Sequence, residues 1–150
     1  AILPVLIVKL GEQPFAVPLS MVREILPIVP GEVQEVGGRA TMVVRGEVLP
    51  VYPLNYLIGW PQEGTPAYGV LMQSAETNFI FVIDNFAGRD DAVIKSLEGF
   101  RPKGVAGVTT LANGQIVLIL DVKELIGSLG DNRGVARRIF LPAEALAQAA

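Results

Sequence analysis

The apolar positions of this chain come in short runs, and each run is cut by glycine, proline or charge. Runs of that kind, rich in β-branched residues and bounded by turn residues, read as strands rather than helices. The first two predicted strands are Val5–Leu10 and Phe15–Leu19, about the turn Gly11-Glu12-Gln13-Pro14. Ser20 then looks like an N-cap for a short helix over Met21–Leu26, with Pro27 as its stop. A Gly/Pro-rich passage surrounds a strand at Val33–Val36. Ala40–Val44 and Val48–Tyr52 follow about the turn Arg45-Gly46-Glu47, and a helix over Leu54–Ile58 ends at Gly59. Trp60–Pro66 reads as a linker. Beyond it lie strands at Tyr68–Ser74, Phe79–Ile83 and Ala92–Leu97, and a hairpin of Val105–Leu111 and Ile116–Leu120 about Asn113-Gly114. A helix over Val122–Leu129 is next. Asp131–Ala150 is a tail or linker, either helical or without fixed structure.

The pattern repeats. "RGEVLPVYPLNYLIG" (45–59) aligns without a gap on "NGQIVLILDVKELIG" (113–127), and "VLIVKLGEQPFAVPLS" (5–20) aligns on "GVLMQSAETNFIFVID" (69–84). The offsets are 68 and 64 residues, as a small indel in the intervening loop would produce. Two such matches in the same order indicate an internal duplication. It divides the stretch 1–130 into subdomains at about 1–60 and 67–130. A unit of that length buries only about 60% of its unfolded surface, so two units gain by packing together. The expected fold is mainly β: two small five-stranded barrels sharing an apolar seam, with short helices. Closing each sheet would remove most exposed edges.

Composition narrows the function. Of the 150 residues, 51% are hydrophobic, and that leaves apolar surface over for a partner. No apolar run approaches the ~18–20 residues of a membrane span, so no direct membrane insertion is expected. Net charge is −3, with no basic stripe that would neutralise phosphates, so no nucleic-acid partner is expected. Without Cys or His, the chain has no thiolate chemistry and lacks the commonest general base and metal ligand. It opens on Ala1 inside a strand-like run, which suggests a piece of something longer.

The remaining chemistry is carboxylate chemistry. Asp121, at the end of five aliphatic residues, is either a strand-end catalytic acid or a helix cap. With Glu124 three residues on, it matches a capping box, and its repeat equivalent is Pro53, which cannot act as an acid or base. Asp84, followed by Asp90 and Asp91, is placed by the repeat opposite Ser20, again a cap or turn residue. A small β-barrel enzyme would need Asp84, Asp90, Asp91 and Asp121 to converge in one cleft. No phosphate-binding glycine loop and no calcium loop is present. A non-catalytic binding module fits these observations better, with barrel-edge strands and their turns as contact elements.

Four blocks stand out: Ala16-Val17-Pro18-Leu19 before Val22-Arg23-Glu24-Ile25, the Arg45–Pro50 block "RGEVLP", "VIKSL" (93–97) and "VAGVTTLANGQIVLILDVKELI" (105–126). They resemble the CheW-like domain of bacterial chemotaxis proteins, above all its version in the histidine kinase CheA, the regulatory domain. Ser96 stands where the family pattern has Pro, and Ala112-Asn113 where it has Gly-Asp. The resemblance implies two five-stranded SH3-like barrels, no cofactor and no metal. It implies a scaffold role: binding the CheW adaptor, contacting the chemoreceptor cytoplasmic tip and other domains of the same kinase, in the cytoplasm at the membrane-associated receptor array. A free-standing CheW-type adaptor is the alternative. By the resemblance, the partner surface comprises Val33, Met42, Val44, Arg45, Glu47 and Val48. The repeat maps Met42 to Thr110 and Arg45 to Asn113, which adds a second surface at Thr110, Asn113 and Gln115.

Overall fold

In the computed structural model, which describes residues 2–62 and 64–129, eleven strands and two short α-helices form two sheets. The expected tail Asp131–Ala150 lies outside the described residues. Strands β1 (Ile2–Leu10) and β2 (Gln13–Pro18) make the first hairpin, and β7 (Tyr68–Ser74) and β8 (Thr77–Ile83) make its counterpart. Both turn through a positive φ at the same repeat position, Gly11 at 60° and Ala75 at 56°. The remaining strands are β3 (Val22–Pro27), β4 (Gln34–Val36), β5 (Arg39–Val44), β6 (Glu47–Pro53), β9 (Asn85–Val93), β10 (Val105–Thr110) and β11 (Ile116–Leu120). Helices α1 (Leu54–Ile58) and α2 (Val122–Leu129) follow β6 and β11.

One sheet has the order β10-β11-β2-β1-β9, the other β4-β5-β6-β8-β7-β3. Replacing each strand by its repeat equivalent turns one order into the other, with β4 added at an edge. The agreement reaches single residues: in the parallel ladders, Ile119 lies opposite Ala16, and their equivalents Val51 and Ile80 lie opposite one another. Each sheet therefore combines the first hairpin of one repeat with the later strands of the other. The two halves of the chain are not the two sheets, because the subdomain division near 60–67 crosses both. Sequence alignment shows that units repeat; it carries no information on which unit's edge a strand will pair with.

The expected closed barrels are two sheets without a complete ring of strand pairing. In the five-stranded sheet the edges approach where Lys95, just past β9, makes one antiparallel bridge to Val108, with N–H···O distances of 2.8 and 2.9 Å. The corresponding pair in the other sheet is Gln34 with Thr41, inside the short strand β4. Register shifts between Ile7 and Val8, Val22 and Glu24, and Val105 and Gly107 mark bulges, which bend strands and let small sheets curl.

The core explains why the strand runs are continuously apolar rather than alternating. A shared cluster between the sheets takes Leu6, Val8, Phe15, Phe79, Phe81, Leu120 and the helix residues Leu54, Leu57, Val122 and Leu125. The opposite faces of the same strands bury Val5, Ile7, Ala16, Val117 and Ile119 in one further cluster and Met42, Leu49, Val51, Ile80 and Val82 in another. Strands with both faces buried are apolar at every position. The shared cluster includes an edge-to-face contact of Phe79 and Phe81, centroids 5.2 Å apart.

Two expected elements differ. The helix over Met21–Leu26 is strand β3, paired with β7 after a single 3-10 turn at Leu19–Met21. A six-residue stretch gains little from helix propagation alone, and here the open edge of β7 supplies ladder hydrogen bonds instead. The strand expected at Ala92–Leu97 begins earlier, at Asn85. Its polar, glycine-bearing start reads as loop in sequence, and it pairs because β1 offers an open edge from Ile2 to Lys9.

Candidate functional site

The β5–β6 hairpin turns in two residues, Arg45 at φ 47° and Gly46 at φ 82°. Two positive φ values in a two-residue loop are the mark of a type I′ turn, whose twist suits the flanking strands. Its registry sends Met42 and its partner Leu49 into the core and leaves Val43 and its partner Val48 outward, 61% and 58% exposed. Val36, on the neighbouring strand β4, is 58% exposed. These three valines line a shallow depression of ≈ 120 Å³ together with Glu32, Gln34, Thr41 and Met42. Apolar side chains gathered at this end of the sheet supply a physical basis for partner contact, since burial of each adds favourable transfer energy.

The turn is fixed from the other side. The Arg45 guanidinium donates to the Glu24 carboxylate, and this hydrogen bond, followed by the charge attraction, raises the arginine pKa above its ordinary value. Glu47 Oε1 accepts from Asn78 Nδ2 at 3.3 Å. With Arg23 these groups rim a cavity of ≈ 430 Å³ floored by Leu49 and Leu71.

Among the residues expected at the partner surface, Arg45, Glu47 and Val48 are exposed, while Val33 and Val44 are half-buried against the core. Met42 is 4% exposed and belongs to that core. Val43 and Val36 complete the exposed patch and were not anticipated. The two-residue turn was the available signal, because it dictates that Val43 faces Val48.

The β10–β11 hairpin carries the second expected surface. It turns in three residues, with Gly114 at φ 87°, Leu111 N–H donating to Gln115 O at 2.8 Å and Gly114 N–H to Leu111 O at 2.9 Å. Asn113 Oδ1 accepts from Gln115 N–H at 2.9 Å. Thr110, Asn113 and Gln115 are all exposed. The additional turn residue shifts the equivalence by one: Leu49 corresponds to Val117, which pairs with Thr109, so the counterpart of Met42 is Thr109, 3% exposed, and not Thr110. Val48 corresponds to Ile116, 66% exposed and likewise unanticipated.

The acids do not gather. Asp121 Oδ1 accepts from Glu124 N–H at 3.1 Å, the N-cap half of the expected box. The return half differs: Glu124 accepts from Gly104 N–H and from Arg101 Nη2, the latter at 3.2 Å, while Asp121 N–H donates to Gly104 O at 2.8 Å. The box thus anchors the loop before β10 as well as α2. Asp84 Oδ2 accepts from Gly11 N–H at 2.7 Å, and its Oδ1 accepts from Gln62 Nε2 at 3.2 Å. Asp90 and Asp91 are exposed on β9 opposite Val5 and Pro4. Each carboxylate therefore serves a separate local structure, and among the described residues no group of three His, Cys, Asp or Glu could hold a metal. No helix among them is long and apolar enough to cross a membrane.

Comparison with known proteins agrees with the geometry. The chain is 34% identical over 131 residues to the chemotaxis protein CheA of Klebsiella aerogenes, covering 83% of this chain and 20% of that protein. It is 32% identical over 127 residues to the sensor histidine kinase CheAY of Helicobacter pylori, covering 81% of this chain and 16% of that protein. The chain therefore spans about a fifth or less of these curated relatives. The crystal structure of the scaffolding protein TtCheW from Thermoanaerobacter tengcongensis shares the fold, with a TM-score of 0.73 at 13% identity over 88% of this chain and 92% of that one. The model of the CheW-like domain matches residues 4–130, and the chain belongs to that family.

Proposed function

We propose that this chain is the non-catalytic regulatory module of a chemotaxis histidine kinase, which binds the adaptor CheW and couples the kinase to chemoreceptors at a cytoplasmic array. The observation that carries the reading is the exposed valine patch, Val43 and Val48 on the hairpin β5–β6 with Val36 on the adjoining β4, beside the Arg45–Glu24 ion pair. The CheA relatives support the kinase assignment, since the chain aligns along most of its own length with a small part of theirs. The second reading, a free-standing adaptor, draws on the fold neighbour, a scaffolding protein whose chain is covered over 92% of its length.

Titration with CheW tests the surface. Val43→Asp and Val48→Asp place charge on outward positions that the core does not use. Each is expected to weaken binding by about 1–3 kcal/mol, roughly five- to 150-fold, while leaving the melting temperature intact. Undiminished affinity in a folded double variant would remove this face from the interface. Thr110→Asp and Gln115→Ala probe the second surface, where a smaller loss is expected. A kinase ATP-binding domain encoded in the same open reading frame separates the two readings.

A further inference from the structure

The reciprocal topology has a consequence for self-association. Four ladders, β1·β9, β2·β11, β3·β7 and β6·β8, join the first half of the chain to the second. Among the described residues β3 and β9 have their only ladders across that divide, and the shared core takes Phe15 from one half and Phe79 from the other. The halves are joined covalently only through the segment Trp60–Ala67, which contains Pro61 and Pro66. That segment rests on Asp84, where Gln62 donates a hydrogen bond and Gly64 packs so closely that a Cβ would lie 2.5 Å from Oδ2.

We propose that two copies of this chain exchange halves, residues 2–59 of one folding against residues 68–129 of the other, with the Trp60–Ala67 segment as hinge. Every ladder and every core cluster would be reproduced between the copies. The contacts that change belong to the hinge, which besides resting on Asp84 packs Trp60 on Phe15 and hydrogen-bonds Ala67 to Ile28 and Ile83. Within a single chain the tether keeps the halves at high effective concentration, so the closed monomer prevails in dilute solution and exchange grows with concentration during refolding. The partner is therefore a second copy, and the contact surface is the protein's own interior.

Two equivalent, fully buried positions provide the test. Ala16 in the first half and Ile80 in the second are both 0% exposed. Ala16→Asp and Ile80→Asp, each refolded alone in the full chain, are expected to lose near-ultraviolet circular dichroism. Refolded together, with a tag on one, they form one intact lobe from the two undamaged halves. That mixture recovers roughly half the signal of wild type and retains the untagged chain on the affinity resin. A mixture that gives only the sum of the separate spectra, without co-retention, overturns the proposal. If either variant folds alone, the wild-type chain decides. Refolded at high concentration it should yield a stable species of twice the mass with the monomer's spectrum, and a monomer at every concentration overturns the proposal. Neither arm contains CheW, so failure here leaves the proposed function untouched.

Discussion

Hairpin β5–β6 turns in two residues and hairpin β10–β11 in three, and the gap-free sequence blocks begin only inside these turns, at Arg45 and Asn113. The consequence lies one strand away. With the shorter turn, Met42 enters the core and Val43 faces solvent; with the longer one, Thr109 enters and Thr110 faces out. A shift of one residue exchanges the faces of a strand because side chains alternate with period two. The neighbouring strand differs too. β4 covers the edge of β5 for three residues, whereas β10 receives a single bridge from Lys95. Duplicated units thus keep the core plan and diverge at turns and edges. Those are the parts that the proposed function assigns to partner contact.

Substitution at the equivalent inward positions should break this comparison most strongly. Met42→Ala opens a cavity in the core and is expected to cost about 2–5 kcal/mol. Thr109→Ala removes fewer atoms and should cost about 1 kcal/mol, so thermal unfolding of the two variants reads the asymmetry directly. Equal losses would contradict the one-residue shift. The helix entries give the next effect. Asp121→Ala removes the bond to Glu124 N–H and should destabilise by about 0.5–2 kcal/mol. Pro53, its equivalent, makes no side-chain cap bond, and Pro53→Ala should leave urea midpoints nearly unchanged. The turns of the first hairpins give the smallest. Gly11→Ala forces a side chain into a left-handed backbone and should cost roughly 1 kcal/mol, while Ala75→Gly should lie within about 0.5 kcal/mol of wild type. If Gly11→Ala were neutral in the same urea titration, the two turns would not share the conformation that their φ values give.

Much of this protein was legible from residue patterns. The strand runs, the duplication, the α1 and α2 positions and the capping role of Asp121 all rest on local rules, which act over a few residues and leave a mark in sequence. The blocks from Ala16 to Ile126 were also specific enough to point to the family. The signals that failed were those where local preference is weak. Met21–Leu26 has no strong periodicity, and Asn85–Asp91 is polar throughout one edge, so the partner strand decided both.

The sequence by itself determined that there are two related units, which residues are apolar enough to be buried, and that Asp84 and Asp121 sit at strand ends. Tertiary structure decided which unit each strand joins, which face of β5 and β10 is outward, and where each acid finds its donor. Hydrophobic pattern sets how much surface must be buried, but pairing between distant edges depends on geometry that no short window contains. Val43 shows the difference. In sequence it is one valine beside another, and only the register against Val48 makes it surface rather than core.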